Sequence, residues 1–249
     1  YKPWIKADGT SFPNSNPAAA YHHPFRTFKG SRNLTVNETS SAGWRYCTIT
    51  ATTKSSCQNT TASRTFYPAV YYNHTGGSLF TYTNYQRIEI NAATLSYSGE
   101  GRVNRTDCTA GTCSYAQEIQ NFANWYTYYR SRLLASQAGI GRAFSTQTEA
   151  LRVGFGAINK GSSTVDGAAV STVINGVRPF TGGDKQSFYE QLYERVYDYN
   201  GTPLRKALND AGLYYSRTDN KGPWAENPGT DDDTQHIMCR QSYSILMTD

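Results

Sequence analysis

The hydrophobic pattern of the chain changes at Cys113, and this change constrains the fold more than any other feature of the sequence. Before it, short β-prone runs alternate with stretches rich in Ser, Thr, Asn, Gly and Pro, which predicts irregular strands joined by long turns. After it, apolar residues recur every three or four positions, which is the period of an amphipathic helix. The sequence therefore predicts a β-rich region over residues 1–113 and an α/β region over residues 114–249.

Four runs of the first region have the composition of strands, namely WRYCTIT (44–50), YPAVYY (67–72), LFTYT (79–83) and YQRIEI (85–90). The opening segment, YKPWIKADGTSFPNSNP, contains three prolines, which interrupt regular structure. We therefore expect this segment to wrap over a surface instead of joining a sheet.

In the second region, the apolar period predicts one long helix over residues 114–144, with Ser114 and Gln117 as a capping box at its start. Two strands are predicted next, at residues 151–158 and 169–174, and the second ends at an Asn175-Gly176 turn.

Two further helices, at residues 183–199 and 202–216, precede a closing strand at residues 243–248. This order of elements predicts an open, Rossmann-like α/β sheet with helices on both faces.

The five cysteines indicate an oxidising compartment. Cys47 and Cys57, and then Cys108 and Cys113, form two sequence-local pairs in polar, turn-rich surroundings, which favours two small disulfide loops. A zinc site is the alternative, but no second ligand pair follows at the usual spacing. Cys239 has no such partner nearby in the sequence. We expect it to be either a buried thiol or the disulfide partner of a cysteine outside the chain.

Composition and charge argue against two classes of partner. The net charge of +5 is spread along the chain without a run of Lys or Arg, so we expect no nucleic-acid binding. No stretch approaches the roughly 20 apolar residues that span a bilayer, so we expect no membrane span. Aromatic residues make up 14% and charged residues only 17%, which favours an extracellular surface.

Two oxygen donors of the second region suit a divalent cation such as Mg²⁺. Thr202 follows the Asn200-Gly201 turn and opens a predicted helix, and Asp249 follows the predicted closing strand. In open α/β sheets such groups lie near the carboxyl ends of strands, where ligands bind. Alternatively, Thr202 is a helix N-cap and Asp249 a turn residue at a strand end.

This pair of elements resembles the metal-ion-dependent adhesion site of von Willebrand factor A domains. That site combines a D-x-S-x-S loop, a G-T-x-x-x-x-A-L loop and a strand ending in T-D-G. Gly201-Thr202 with Ala207-Leu208 matches the second pattern, and Thr248-Asp249 matches the third. The D-x-S-x-S loop is absent, since the nearest string, which begins at Asp8, has other residues.

Longer strings resemble the PilC/PilY family of type IV pilus tip-associated adhesins. These strings are YKPWIKADGTSFPNSNP, QEIQNFANWYTYYRSRLLASQAGIGRAF, RVGF, TPLRKAL and CRQSYSILMTD, and they extend over nearly the whole chain. The resemblance implies a von Willebrand factor A-like domain in a larger protein, with residues 1–113 as an insertion that carries the disulfide loops. It also implies that the D-x-S-x-S strand precedes this chain, which would be a segment cut after Asp249.

The family resemblance further implies pilus biogenesis and attachment at the bacterial cell surface after export through the periplasm, and no enzymatic activity. Its implied partners are minor subunits of the type IV pilus and an unidentified host or surface receptor. The implied metal site uses Thr202 and Asp249 and holds Mg²⁺ or another divalent cation in the intact parent protein. In the segment alone we expect no bound cofactor.

Other functions are alternatives to this hypothesis. A secreted carbohydrate-active enzyme would need two facing carboxylates, for which Glu118 and Glu190 are the candidates. A structural segment of the pilus tip without a ligand is the other alternative. The acidic run at 231–233 lacks the spacing of a calcium loop, and His22, His23 and His74 lack a carboxylate partner at metal-ligand spacing.

Overall fold

A computed structural model of the chain describes residues 1–40, 44–47, 57–60, 62–196, 201–230, 236–237, 239 and 241–247, with the backbone alone at 44–47 and 57–60. The chain divides into two compact units. The first consists of Tyr1–Pro3 and Pro13–Arg130, and the second of Trp4–Phe12 and Ser131–Asp249. The predicted boundary at Cys113 stays a prediction.

The first unit consists of short antiparallel strand pairs and one helix. The strands are β1 Ala20–Tyr21, β2 Ser31–Arg32, β3 Glu38–Ser40, β4 Trp44–Cys47, β5 Cys57–Thr60, β6 Arg64–Phe66, β7 Val70–His74, β8 Tyr85–Glu89, β9 Ser96–Tyr97 and β10 Cys113–Ser114. They pair as β1–β2, β3–β6, β4–β5, β7–β8 and β9–β10.

Helix α1, Tyr115–Tyr128, supplies one side of the core of this unit. The predicted capping box is confirmed, because Ser114 Oγ accepts a hydrogen bond from the Gln117 backbone and the Gln117 side chain accepts one from the Ser114 backbone. The helix buries the apolar face that its period predicts, and it also buries Asn124, Thr127 and Tyr128 on another side. The buried cluster comprises Ala20, Leu34, Ala69, Ile90, Tyr97, Ile119, Phe122, Ala123 and Tyr126.

One strand prediction in this unit is wrong. Leu79 to Thr83 form the loop between β7 and β8, including a 3₁₀ turn at Tyr82–Asn84, although their composition is typical of a strand. The pairing of β7 with β8 runs from Val70 opposite Glu89 to His74 opposite Tyr85 and stops there. The run therefore has no strand partner among the described residues, and its large side chains are exposed.

The single helix predicted over residues 114–144 is two helices. After α1 the backbone leaves the helical conformation, and α2, Arg132–Ser145, begins at a new N-cap. Ser131 Oγ accepts a hydrogen bond from the Leu134 backbone, which stabilises a second helix start. The break rotates the buried face of α2 onto Leu134, Gln137, Ala138 and Gly141.

The second unit contains α2 and four strands, which are β11 Arg152–Gly156, β12 Ser162–Val165, β13 Ala168–Ser171 and β14 Val173–Pro179. Strand β11 pairs with β14, and β12 pairs with β13. The β12–β13 hairpin closes through Asp166 and Gly167, whose φ angles of 55° and 76° are those of a two-residue turn with the twist of a hairpin.

The predicted strand at 169–174 is split, and the turn predicted at Asn175-Gly176 is wrong. Thr172 has a φ of 66°, which separates β13 from β14. Asn175 lies opposite Phe155 inside the β11–β14 pair, at an irregularity of register. The chain had already turned at Asp166-Gly167, so Asn175-Gly176 continues a strand.

Two helices complete the second unit, α3 Gly182–Glu194 and α4 Leu204–Tyr215, so both predicted helices are present with shorter bounds. An aromatic cluster forms around Phe188, whose ring contacts Phe144, Phe155 and Phe180 at centroid distances of 5.0 to 5.6 Å. A smaller cluster packs Val165, Val173, Val177 and Tyr214 between the strands and α4.

The middle of the opening segment, Trp4–Phe12, also belongs to this unit. Trp4 is 1% exposed and stacks on Tyr193 at a centroid distance of 4.5 Å. The Tyr193 hydroxyl donates a hydrogen bond to the Ile5 carbonyl. The segment makes only an isolated bridge between Ile5 and Ser11, which agrees with the expectation that it joins no sheet.

The chain thus contains both helices and strands, but the open sheet is not formed by the residues that the structure describes. Their sheets are two-stranded and antiparallel. The predicted closing strand is wrong as far as it is described, because residues 241–247 lie outside any strand and are exposed. The pattern of this run predicts a strand, but a strand needs a partner, and within the described ranges none pairs with it.

Candidate functional site

Thr202 lies in an exposed loop directly before α4. Its carbonyl accepts a hydrogen bond from the Leu204 backbone at 2.9 Å. The N-cap position belongs to Pro203, which makes no side-chain cap, so the structure does not assign the Thr202 hydroxyl to helix capping.

The Thr202 loop is held at the carboxyl end of β11. Asn159 follows β11 with a φ of 64°, and its side-chain amide donates a hydrogen bond to the Gly201 carbonyl. Beside it, the Lys160 ammonium group donates to the Ser163 hydroxyl and the Val173 carbonyl. Burial, and then the positive charge of Arg195, lowers the pKa of Lys160.

The second predicted ligand, Asp249, lies outside the described residues, as does the acidic run at 231–233. The pairing of Thr202 with Asp249 therefore stays a prediction. Asp8, in the string nearest to D-x-S-x-S, accepts hydrogen bonds from the backbone and the hydroxyl of Thr10, which makes it part of an exposed turn.

The predicted disulfide between Cys108 and Cys113 is confirmed, with a Cα–Cα distance of 4.7 Å. Cys47 and Cys57 lie opposite each other in the β4–β5 register, and a disulfide between them stays a prediction. Cys239 is exposed and is not disulfide-bonded in the structure, whereas the sequence suggested a buried or paired cysteine.

Within the described part of the chain, one group of three potential metal ligands is present, formed by Cys108, Cys113 and Glu118. Its two sulfur atoms are joined to each other, so neither is a thiolate. The Glu118 carboxylate is already bound by two guanidinium groups. This group is therefore suited to stabilising the fold and not to binding a cation.

Glu118 is the centre of a buried ion network. It is 3% exposed, and its two carboxylate oxygens accept hydrogen bonds from Arg102 at 3.1 and 3.0 Å. Arg105 donates to the same carboxylate and also pairs with Asp107, whose pKa is lowered by the hydrogen bonds from Arg105. Because two cations neutralise it, Glu118 is not suited to be the acid or base of a glycosidase.

The second candidate carboxylate for that chemistry, Glu190, lies on α3, where its side chain accepts a hydrogen bond from Gln186 at 3.0 Å, one helical turn away. This is an ordinary contact on a helix surface.

A second buried network, in the other unit, was not predicted from the sequence. Asp166 forms an ion pair with Arg178 and accepts a hydrogen bond from the Tyr214 hydroxyl at 2.7 Å. The same hydroxyl accepts a hydrogen bond from the Val177 backbone at 3.0 Å, and burial raises the pKa of Tyr214. The Asp166-Gly167 pair, a strong hairpin signal, could have located this residue.

The histidines have structural contacts. His23 is buried, and its Nδ1 accepts hydrogen bonds from the Phe25 and Arg26 backbones at 3.1 and 3.2 Å. Burial lowers the pKa of His23 to about 4. The Nδ1 atom of His22 shares a hydrogen bond with the Tyr126 hydroxyl at 2.8 Å, and the His74 ring contacts Tyr85.

The chain is similar to the type IV pilus biogenesis factor PilY1 of Pseudomonas aeruginosa. It is 36% identical to the PilY1 of strain PAK over 185 residues, which cover 73% of this chain and 14% of that protein. It is 37% identical to the PilY1 of strain PAO1 over 158 residues, or 61% of this chain and 13% of that protein. The chain thus spans less than a sixth of the length of these curated relatives.

No protein-family model matches the chain, and no solved structure matches it significantly. None of the helices that the structure describes has the length and apolar character needed to cross a membrane.

Proposed function

Because this chain belongs to the PilC/PilY family of type IV pilus proteins, we propose that it is a segment of a cell-surface adhesin that serves pilus biogenesis and attachment. Its partners are minor subunits of the pilus and a receptor on the surface to which the cell attaches. The observation that carries this proposal is the 36% identity over 73% of the chain to a protein named as a pilus biogenesis factor.

The proposal includes a metal-ion-dependent adhesion site that residues outside the chain complete. Thr202 and Asp249 are its two ligands in this chain. Two features support Thr202 in this role, namely its exposure and the Asn159–Gly201 hydrogen bond that ties its loop to the carboxyl end of β11. Hydroxyl and carboxylate oxygens favour Mg²⁺ or Mn²⁺.

In this proposal, residues 114–249 belong to a von Willebrand factor A-like domain, and residues 1–113 are an insertion into it. The central strands of the open sheet then come from other parts of the parent protein. The insertion presents variable loops from a disulfide-linked scaffold, which is the usual arrangement of a recognition surface.

The metal site is tested in the parent protein with Mn²⁺ titrations by isothermal calorimetry. We expect Thr202→Ala and Asp249→Asn to weaken Mn²⁺ binding by about tenfold or more each, since each removes or weakens a direct ligand. Thr230→Ala is the matched control, because Thr230 is also exposed in a loop of the second unit and its hydroxyl donates a hydrogen bond to the Asn227 carbonyl. Equal binding by all three variants and the parent would show that the site does not exist.

The role in pilus assembly is tested separately, in the bacterium that produces the parent protein. Deleting the segment should reduce both the number of surface pili and attachment. Thr202→Ala should reduce attachment while pili are still assembled, because it alters the metal site and not the fold. Normal pili and normal attachment after deletion would contradict the proposal.

A second candidate is a structural segment of the pilus tip that bears load without a ligand. The Cys108–Cys113 disulfide beside the buried Glu118 network favours it, because the disulfide closes residues 108–113 and the ion pairs tie Arg102 and Arg105 to α1. Single-molecule pulling with and without reductant would measure this. A reductant-independent unfolding force would exclude a mechanical role for the disulfide.

A further inference from the structure

The loop between β7 and β8, residues 75–84, carries the most exposed large apolar side chain of the described residues. Phe80 is 99% exposed, and its neighbour Leu79 is 65% exposed. Both lie in the middle of the loop and therefore at the end of the hairpin, away from the strands. We call residues 75–84 the tip loop. Exposed apolar side chains grouped at one point of a protein mark a binding surface.

The tip loop is held in shape by its own hydrogen bonds. The Asn84 side chain donates to the Ser78 carbonyl at 3.0 Å, and the Tyr85 hydroxyl donates to the Leu79 carbonyl at 2.9 Å. Thr75 donates to the Asn84 carbonyl from its backbone and its hydroxyl. These bonds satisfy the carbonyls of Ser78, Leu79 and Asn84, so these three atoms keep their hydrogen bonds when the loop leaves water.

Gly77 makes this arrangement sterically feasible. It has a φ of 80°, and a Cβ atom there would lie 2.5 Å from the Asn84 side chain. The glycine thus lets the Asn84 amide cross beneath the loop and reach Ser78. A loop whose shape is fixed in advance loses little conformational entropy on binding.

The exposed side chains in and beside the tip loop are of two kinds, purely apolar and aromatic with a hydroxyl group. Leu79 and Phe80 are purely apolar, whereas Tyr82 in the tip loop and Tyr72 on strand β7, which are 54% and 60% exposed, carry hydroxyl groups. No Asp, Glu, Lys or Arg occurs from Asn73 to Gln86. Tyrosine side chains favour the headgroup level of a lipid bilayer, and apolar side chains favour the region just below it.

We infer that the tip loop binds an uncharged, phosphocholine-type lipid surface by inserting Leu79 and Phe80 below the headgroups. The lack of charge complements a zwitterionic surface, and a loop that projects a single apolar end suits shallow insertion. This inference rests on the loop alone. Its failure would leave the pilus assignment intact, and failure of the metal site would leave this inference intact.

The test measures cosedimentation of the chain with phosphatidylcholine vesicles. We expect Phe80→Ser to lower the partition coefficient by about tenfold, because a Phe side chain that leaves water accounts for at least that factor. Binding should change little when the salt concentration is raised, since no charges take part. The matched control is Phe28→Ser, which removes an 83% exposed Phe from another loop of the same unit and should leave binding unchanged.

Several results would overturn the inference. One is that the chain does not bind the vesicles, and another is that Phe80→Ser and Phe28→Ser weaken binding equally. A third is that binding disappears at high salt, which would mean that the net positive charge of the chain causes the binding. Sedimentation velocity without lipid tests a further result that would overturn the inference. If the chain forms a dimer that Phe80→Ser dissociates, the tip loop binds a second copy of the chain and not a lipid surface. Circular dichroism of Phe80→Ser should match that of the parent chain, since this side chain has no packing to lose.

Discussion

At the scale of single residues, the buried charges of the first unit determine which substitutions the fold can tolerate. Glu118 and Arg102 have side chains that are only 4% and 7% exposed, and Arg105 reaches the same carboxylate. Removing one member of a buried ion pair leaves the others charged and without their counterion in a poorly solvated place. An exposed pair loses much less, because water replaces the partner.

We therefore expect Glu118→Gln to lower the free energy of unfolding by about 3 kcal/mol. Urea denaturation monitored by circular dichroism measures this change. The control is Glu89→Gln, which removes an exposed pair with Arg87 in the same unit and should cost about 0.5 kcal/mol. Similar losses in the two variants would mean that the Glu118 network contributes no more than a surface pair.

His23 predicts a dependence of stability on pH. Because burial lowers its pKa from 6.5 to about 4, the unfolded chain binds more protons than the folded chain between these two values. The contribution of His23 to the free energy of unfolding therefore has its full value above pH 6.5, and it decreases as the pH is lowered towards 4. The slope reaches at most about 1.4 kcal/mol per pH unit.

The variant His23→Asn isolates this effect. The Asn Oδ1 atom can accept the backbone hydrogen bonds of Phe25 and Arg26 that Nδ1 accepts now, but it does not titrate. Urea denaturation between pH 7.5 and 5 should show that the parent chain loses stability relative to the variant as the pH falls. Parallel profiles would mean that His23 has an ordinary pKa.

At the scale of elements, local signals predicted the start of α1 but not the start of α2, and the turn of a hairpin was assigned to the wrong residues. The Ser114–Gln117 capping box is a local pattern and occurs as predicted, because it involves only residues three positions apart. The break before α2 was missed, since the apolar period continues through Ser131. Asp166-Gly167 is also a local signal and forms the turn between β12 and β13, whereas the turn was predicted at Asn175-Gly176, which lies inside β14.

Strand β14 depends on a residue without a side chain at position 176. A Cβ atom there would lie 2.0 Å from Asp166 Oδ2 and 2.8 Å from the Tyr214 hydroxyl. We expect Gly176→Ala to lower the free energy of unfolding by about 2 kcal/mol, because it displaces the carboxylate from Arg178. Chemical denaturation gives this value directly.

The control for this prediction is Gly183→Ala in the first turn of α3. A Cβ atom at position 183 meets no atom within 4 Å, and the backbone there does not require glycine. We expect this variant to change the free energy of unfolding by less than about 0.5 kcal/mol. If Gly176→Ala were equally neutral, the contacts of Asp166 would not contribute to stability.

At the scale of the whole molecule, covalent links are the most direct test of the cysteine assignments. We expect a non-reducing tryptic digest to contain Cys108 and Cys113 oxidised within one peptide, and Cys47 linked to Cys57 across two peptides. Cys239 should react with an alkylating agent before reduction, because it is exposed and unpaired in the structure. Mass spectrometry before and after reduction distinguishes these species.

A peptide that links Cys47 to Cys239 would contradict this assignment. The β4–β5 register argues against it, since it brings the Cys47 and Cys57 backbones opposite each other, and opposite residues of an antiparallel pair lie at disulfide distance.

The sequence by itself determined the features that depend on neighbouring residues. They include the mixture of helices and strands, the capping box, the apolar face of α1 and the Cys108–Cys113 pair, which are separated by few residues. The family assignment also follows from the sequence, because it rests on identity along the chain. Such features are specified by local geometry and composition, so a linear pattern contains them.

Only the tertiary structure decided which strands pair and which charges are buried. The run at 79–83 has strand composition, but β7 and β8 pair with each other and leave it as a loop. Glu118 has the sequence pattern of an ordinary helix residue, yet arginines 13 and 16 positions away enclose it. Pairing and burial depend on residues far apart in the chain, and the free energy of those contacts outweighs local propensity.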